Sequence, residues 1–163
     1  MRFLPGEHIY SYLYRGYIVH GIDGYSTIIN YDGLFKRRLA TIKPELINPF
    51  LDTSNFRDLC VRSGFIDVSL KLADDYIEEY VGSEKFPKGL KLHPINRKNA
   101  HTVNYCSECV QDFIKEFGFA YLLAVWLDDG YVCKKHDRPV VSLNSNSRAQ
   151  TIKQLKIVLS GDV

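Results

Sequence analysis

The chain has 163 residues, 45% of them apolar and 13% aromatic, with 21 Lys and Arg against 19 Asp and Glu. That length fits one domain, or a compact domain with a small satellite, and that apolar share can bury a core, which excludes a disordered chain. The net charge of +2 falls short of the strong basicity of free-standing nucleic-acid binders, so contacts to DNA have to come from local patches or be shared with partners.

The N-terminus carries no apolar run of the kind a signal peptide needs. The longest apolar stretch, 119–127, is less than half of the roughly 20 residues that span a bilayer. A cytoplasmic protein without a membrane partner is expected, and there cysteines stay reduced.

A first helix is predicted over 7–20. Ile9, Tyr12, Leu13, Tyr17 and Ile18 recur at helical spacing, Pro5-Gly6 precedes them, and Gly21 suits a left-handed cap at the end. Residues 25–35 read as irregular, interrupted by Asn30, Asp32 and Gly33. The basic run Lys36-Arg37-Arg38 follows, and Pro44 opens a short helical turn through Phe50. Two helices with better punctuation are expected next. One spans 53–64, capped by Thr53 or Ser54 and ended by Gly64; the other spans 69–82, capped by Ser69 and closed by Gly82. The outer face of the second carries Asp74, Asp75, Glu78 and Glu79. Residues 82–104 form a polar connector rich in Lys, Pro and Asn. Residues 140–146 read as loop, and Ser147 caps a final amphipathic helix bearing Ile152, Leu155, Ile157, Val158 and Leu159.

Three of the four cysteines fall in the pattern Cys106-x-x-Cys109, 23 residues, Cys133-x-x-His136. Two ligands separated by two residues sit on one tight turn and converge on one ion, and two such turns complete a tetrahedron. Four protein ligands leave no open position, so the site reads as structural, with one Zn²⁺ as the expected cofactor. Lys134 and Lys135 stand where they can offset the charge of three thiolates. CxxC also serves as a redox pair, but the strand-then-helix context of that motif is missing from the sequence, and Cys133 and His136 would be idle. Free buried thiols are the third alternative. Cys60 reads as a core residue, and His93 and His101 lack a partner at ligand spacing.

The fold class expected is mainly α: a helical N-terminal region (1–84), a small zinc-binding module (85–145) and a C-terminal helix (146–163). Candidate phosphate contacts are Lys36, Arg37, Arg38, Arg97 and Lys98, although solvated surface charge is the plainer reading of any one cluster. The helices over 53–64 and 69–82 resemble a helix-turn-helix pair in spacing, but the acidic face of the second suits a protein partner better than DNA. No phosphate-binding, dinucleotide, nucleophile-elbow or metalloprotease motif occurs. Asp128-Asp129 beside Gly130 reads as a solvated turn, and no histidine is followed two residues later by glutamate as a zinc deaminase requires. No enzymatic activity is expected.

Tyr105-Cys106-Ser107-Glu108-Cys109, then Phe119, Tyr121 and Trp126, then Val132-Cys133-Lys134-Lys135-His136, resemble the TniQ/TnsD family of transposition proteins. So does the opening Leu4-Pro5-Gly6-Glu7 with Ser11, Leu13 and Arg15, similar to that family's proline and glutamate followed by a serine-x-leucine-x-arginine helix. Ser107 and Lys134 stand where the family usually has prolines, and Asp137 where glycine is usual. The chain is shorter than typical members, as a short or divergent member or an N-terminal fragment would be. The resemblance implies a bacterial adaptor without chemistry of its own, which helps choose the target site of transposon insertion. Its implied partners are DNA, or an RNA-guided Cascade complex, and an AAA+ transposition regulator. A zinc-stabilised protein-interaction module without a DNA role is the alternative.

Overall fold

The computed structural model describes residues 1–36, 44–50, 102–127 and 130–163. The helices expected over 53–64 and 69–82, most of the polar connector, the boundary at 84, and Cys60, His93, His101, Arg37, Arg38, Arg97, Lys98, Asp128 and Asp129 lie outside the described residues.

Helix α1 (Ile9–His20) contributes much of the core of the described residues. It starts after His8, whose extended backbone lets Nδ1 accept from the Tyr10 N–H at 3.0 Å. It ends at Gly21, where φ of 64° turns the chain out of the helix. Residues 9–14, with Gly16 and Tyr17, are buried, so the first two turns are enclosed on nearly every side. Gly16 is needed for this: the Phe50 ring lies against it, where any Cβ would collide.

After α1 the chain folds back through a 3-10 turn, Tyr25–Thr27, and an antiparallel bridge between Ile29 and Phe35. That bridge buries Ile28, Ile29 and Phe35 against α1. Helix α2 (Pro44–Ile47) is one turn long and brings Ile47 and Phe50 to the same core. Both the turn opened by Pro44 and the irregular stretch before it follow the sequence expectation.

The second half adds short strands to the mainly α plan. Strand β1 (Asn104–Tyr105) pairs antiparallel with β4 (Val141–Ser142), and β2 (Val132–Cys133) pairs with β3 (Arg138–Pro139). Part of the stretch read as loop over 140–146 is therefore a strand. Helix α3 (Ser107–Phe117), absent from the sequence expectation, directly follows β1. Helix α4 (Arg148–Leu159) begins as expected, with the Ser147 hydroxyl accepting from the Gln150 N–H.

The four described stretches share one core. Tyr14 Oη donates to the Ile152 carbonyl at 2.7 Å, Thr151 Oγ1 to the Gly33 carbonyl at 2.6 Å, and the Ala120 N–H to the Leu159 carbonyl at 3.1 Å. Val110, Trp126 and the three cysteines belong to the same buried cluster as Tyr10, Leu13 and Tyr17. Among the described residues, no helix is long and apolar enough to cross a membrane.

Candidate metal centre

Cys106 is the residue before the first turn of α3, with φ of −101° and ψ of 118°, and Cys109 lies inside that turn. The extended residue and the helical one are three apart, so both sulfurs point to the same side. Cys133 ends β2, and His136 lies in the turn to β3. That turn is closed by N–H groups of His136 and Asp137 donating to the Cys133 carbonyl at 3.3 and 2.7 Å. Asp137 takes φ of 52°, in the left-handed region. The first knuckle is thus a strand-to-helix junction rather than a free turn, and the second is a hairpin turn.

These elements bring Cys106, Cys109, Cys133 and His136 together, with their ligand atoms all within 4.8 Å of one another. His136 Nδ1 lies 3.5 Å from Cys106 Sγ, 3.3 Å from Cys109 Sγ and 3.6 Å from Cys133 Sγ, and Cys109 Sγ lies 3.5 Å from Cys133 Sγ. A tetrahedral ion with sulfur ligands at about 2.3 Å and nitrogen at about 2.0 Å has edges of about 3.5–3.8 Å. These four separations are close to that size, and the four residues can hold a metal ion. The sulfurs are buried and the imidazole is partly buried.

Burial pushes the Cys106 and Cys109 thiols up from their ordinary value. At Cys133 burial works the same way, but hydrogen bonds from the His136 backbone and ring and from Cys109 outweigh it and bring that thiol down to about 7. The strand-then-helix context thought missing around the CxxC is present, since β1 precedes it and α3 follows. That reason for setting the redox reading aside falls. The other stands: Cys133 and His136 are part of the same cluster.

Around the ligands lie groups that ligand spacing alone does not mark. Asp112 Oδ2 is 3.2 Å from His136 Nε2 and accepts from Lys135 Nζ at 2.6 Å. The hydrogen bond from Lys135 is the main reason its carboxyl titrates below the usual value, with the nearby His136 adding to the effect. Lys135 is thereby engaged with Asp112 rather than turned on the thiolates. Glu108 accepts from Ser107 Oγ at 3.0 Å and pairs with Arg138 Nε at 3.2 Å, joining the two knuckles across their rim. The signal for Asp112 was its place three residues after Cys109, on the same face of a helix.

A second network ties the N-terminal motif to the segment between the two knuckles. The fully buried Glu7 carboxylate accepts from the Leu4 N–H at 3.1 Å and from Ser11 Oγ at 3.1 Å. Arg15 adds a two-pronged ion pair, Nε at 2.8 Å and Nη2 at 2.7 Å. Burial still holds the Glu7 carboxyl above its ordinary value, against the opposing pull of Arg15, Leu4 and Ser11. Ser11 Oγ in turn accepts from the Leu122 N–H at 2.9 Å, the His8 N–H donates to the Leu122 carbonyl at 2.8 Å, and Glu7 bridges Leu123.

Of the candidate phosphate contacts, Lys36 alone is described. It is half-buried beside Arg148, and burial, helped by that like charge, lowers its ammonium below the usual range. Elsewhere on the surface an open groove of about 980 Å³ runs past Leu4, Ile18, Val19, Phe119 and Leu159. No protein-family model, no curated protein and no solved structure matches the chain.

Proposed function

We propose that this chain is a zinc-stabilised adaptor of the TniQ type, acting in target-site selection for DNA transposition. The observation that carries the reading is that, among the described residues, its two resembling stretches, 4–15 and 105–136, are hydrogen-bonded to each other and share one core. Glu7, Ser11 and Arg15 lock onto one another, and Ser11 grips the backbone of Leu122 between the two knuckles. Leu13, the remaining member of the N-terminal motif, is fully buried in the same core. Every residue of the serine-x-leucine-x-arginine pattern thus has a structural task, in the Glu7 network or in the shared core.

Zinc is the ion that suits three thiolates and one imidazole at tetrahedral separations. With all four positions filled by protein, it would hold the scaffold and leave function to surfaces. Such an adaptor would bind DNA directly, or through an RNA-guided Cascade complex, and recruit an AAA+ transposition regulator. Lys36, with Arg37, Arg38, Arg97 and Lys98 as further contacts, is its proposed phosphate-binding set. The proximity of Lys36 to Arg148 supports a locally positive surface there.

Two measurements test this. A gene for an AAA+ protein nearby, and co-purification with that protein, are expected; absence of both, in a neighbourhood free of transposition genes, would remove the reading. DNA affinity should fall steeply with salt, and replacing Lys36, Arg37 and Arg38 together by alanine should flatten that slope. An unchanged slope takes that patch out of the argument.

The groove favours a second reading, a zinc-stabilised protein-interaction module with no DNA role. Exposed Val19 and Ile18 line its apolar side. Salt-independent, negligible DNA affinity combined with stable capture of a protein partner would select it.

A further inference from the structure

We infer that Asp112 is a positioning residue for the metal centre: its carboxylate fixes the His136 ring so that Nδ1, and not Nε2, faces the ion. This rests on the reading of the four residues as a metal site. An imidazole has two nitrogens, and a neutral ring offers a lone pair on only one of them. Here Nδ1 lies 3.3–3.6 Å from all three sulfurs, while Nε2 points away, to Asp112 Oδ2 at 3.2 Å. An ionised carboxylate only accepts hydrogen bonds, so the ring proton belongs on Nε2, and the lone pair of Nδ1 is left for the ion.

The carboxylate is itself held. Lys135 Nζ donates to the same Oδ2 at 2.6 Å, and α3 carries both Asp112 and Cys109 one turn apart. One short helix therefore supplies a ligand and the group that orients another ligand 24 residues further along the chain. A carboxylate behind a ligating histidine also strengthens the ring as a donor, and loss of such a partner costs about tenfold to a hundredfold in metal affinity.

The experiment is competition for Zn²⁺ between the full chain and a chromophoric chelator, with wild type, Asp112→Ala and Lys135→Ala compared. Asp112 and Lys135 sit at the rim with their side chains 32% and 64% exposed, so neither change empties the core. Asp112→Ala should bind zinc about tenfold to a hundredfold more weakly. Lys135→Ala leaves the Asp112 carboxylate in place and loses only an exposed ion pair and a nearby charge, so it should weaken zinc binding less than Asp112→Ala does. In the zinc-loaded wild type, a ¹⁵N spectrum should show a slowly exchanging Nε2–H on His136, and this signal should broaden or vanish in Asp112→Ala. Wild-type affinity in Asp112→Ala, an equal loss in Lys135→Ala, or an Nε2 bound to metal with the proton on Nδ1 would each overturn the inference. A wild type that binds no zinc would overturn the metal reading itself, and this inference with it.

Discussion

Ser107 occupies the first position of α3, where a backbone N–H has no partner inside the helix. Cys106 before it is already extended, as the residue preceding a proline must be. The site therefore suits proline, the residue that the resembling family carries there. Ser107→Pro should raise stability by about 0.4–1 kcal/mol by restricting the unfolded chain, read as a higher urea midpoint at unchanged slope in the zinc-loaded protein. Asp137, where that family carries glycine, adopts φ of 52° to close the second knuckle. Aspartate tolerates this region and glycine enters it freely, whereas a β-branched side chain does not. Asp137→Gly should keep stability and metal affinity near wild type, and Asp137→Val should lose about 1–2 kcal/mol in the same titration. Equal behaviour of the two variants would show that the left-handed turn is not what position 137 requires.

At the scale of elements, α1 is held by a network that its own periodicity does not reveal. Arg15 neutralises a carboxylate with no exposed surface and also lies 4.9 Å above the Phe119 ring. Arg15→Ala would leave Glu7 buried without its cation, and a loss of about 3–5 kcal/mol is expected in denaturant unfolding. A loss below about 1 kcal/mol would mean that the pair behaves as a surface ion pair. The ends of α1 and α4 were legible because Gly21 and Ser147 act within one turn of chain. The convergence of Cys106, Cys109, Cys133 and His136 was legible for a related reason, since each pair sets its own local geometry. Glu7 was not, because its partners are Arg15, two turns on, and, through Ser11, an N–H more than 100 residues away. Strands of two residues, such as β1 and β4, are too short to display an alternating pattern. Helix α3 was readable in Val110, Phe113, Ile114 and Phe117, but reading the CxxC as a tight turn left that spacing unused.

For the molecule as a whole, the metal cluster and α1 belong to one hydrophobic core, so stability and metal binding are the same equilibrium seen from two sides. A structural zinc contributes about 10–16 kcal/mol to its folded state, comparable to the whole net stability of a typical domain, about 5–15 kcal/mol. Removing it should therefore unfold more than the knuckles. A strong chelator, or Cys106→Ser, is expected to abolish the near-UV signal of the tyrosines on α1 together with that of Trp126. Survival of the α1 signal in excess chelator would separate the two halves of the core. The pH dependence follows from the thiols. Cys106 and Cys109, raised by burial, hold their protons at neutral pH and must give them up to the ion. Cys133, with its thiol at about 7, gives up a proton on binding only below that pH. Protons therefore compete with the metal, and acid releases it. From the thiols alone, the logarithm of apparent zinc affinity should climb by about 2 per pH unit above pH 7 and by about 3 below it. Calorimetric titrations in buffers of differing ionisation enthalpy count those protons directly, and a count near zero at pH 7 would mean that the three thiols do not ligate the ion.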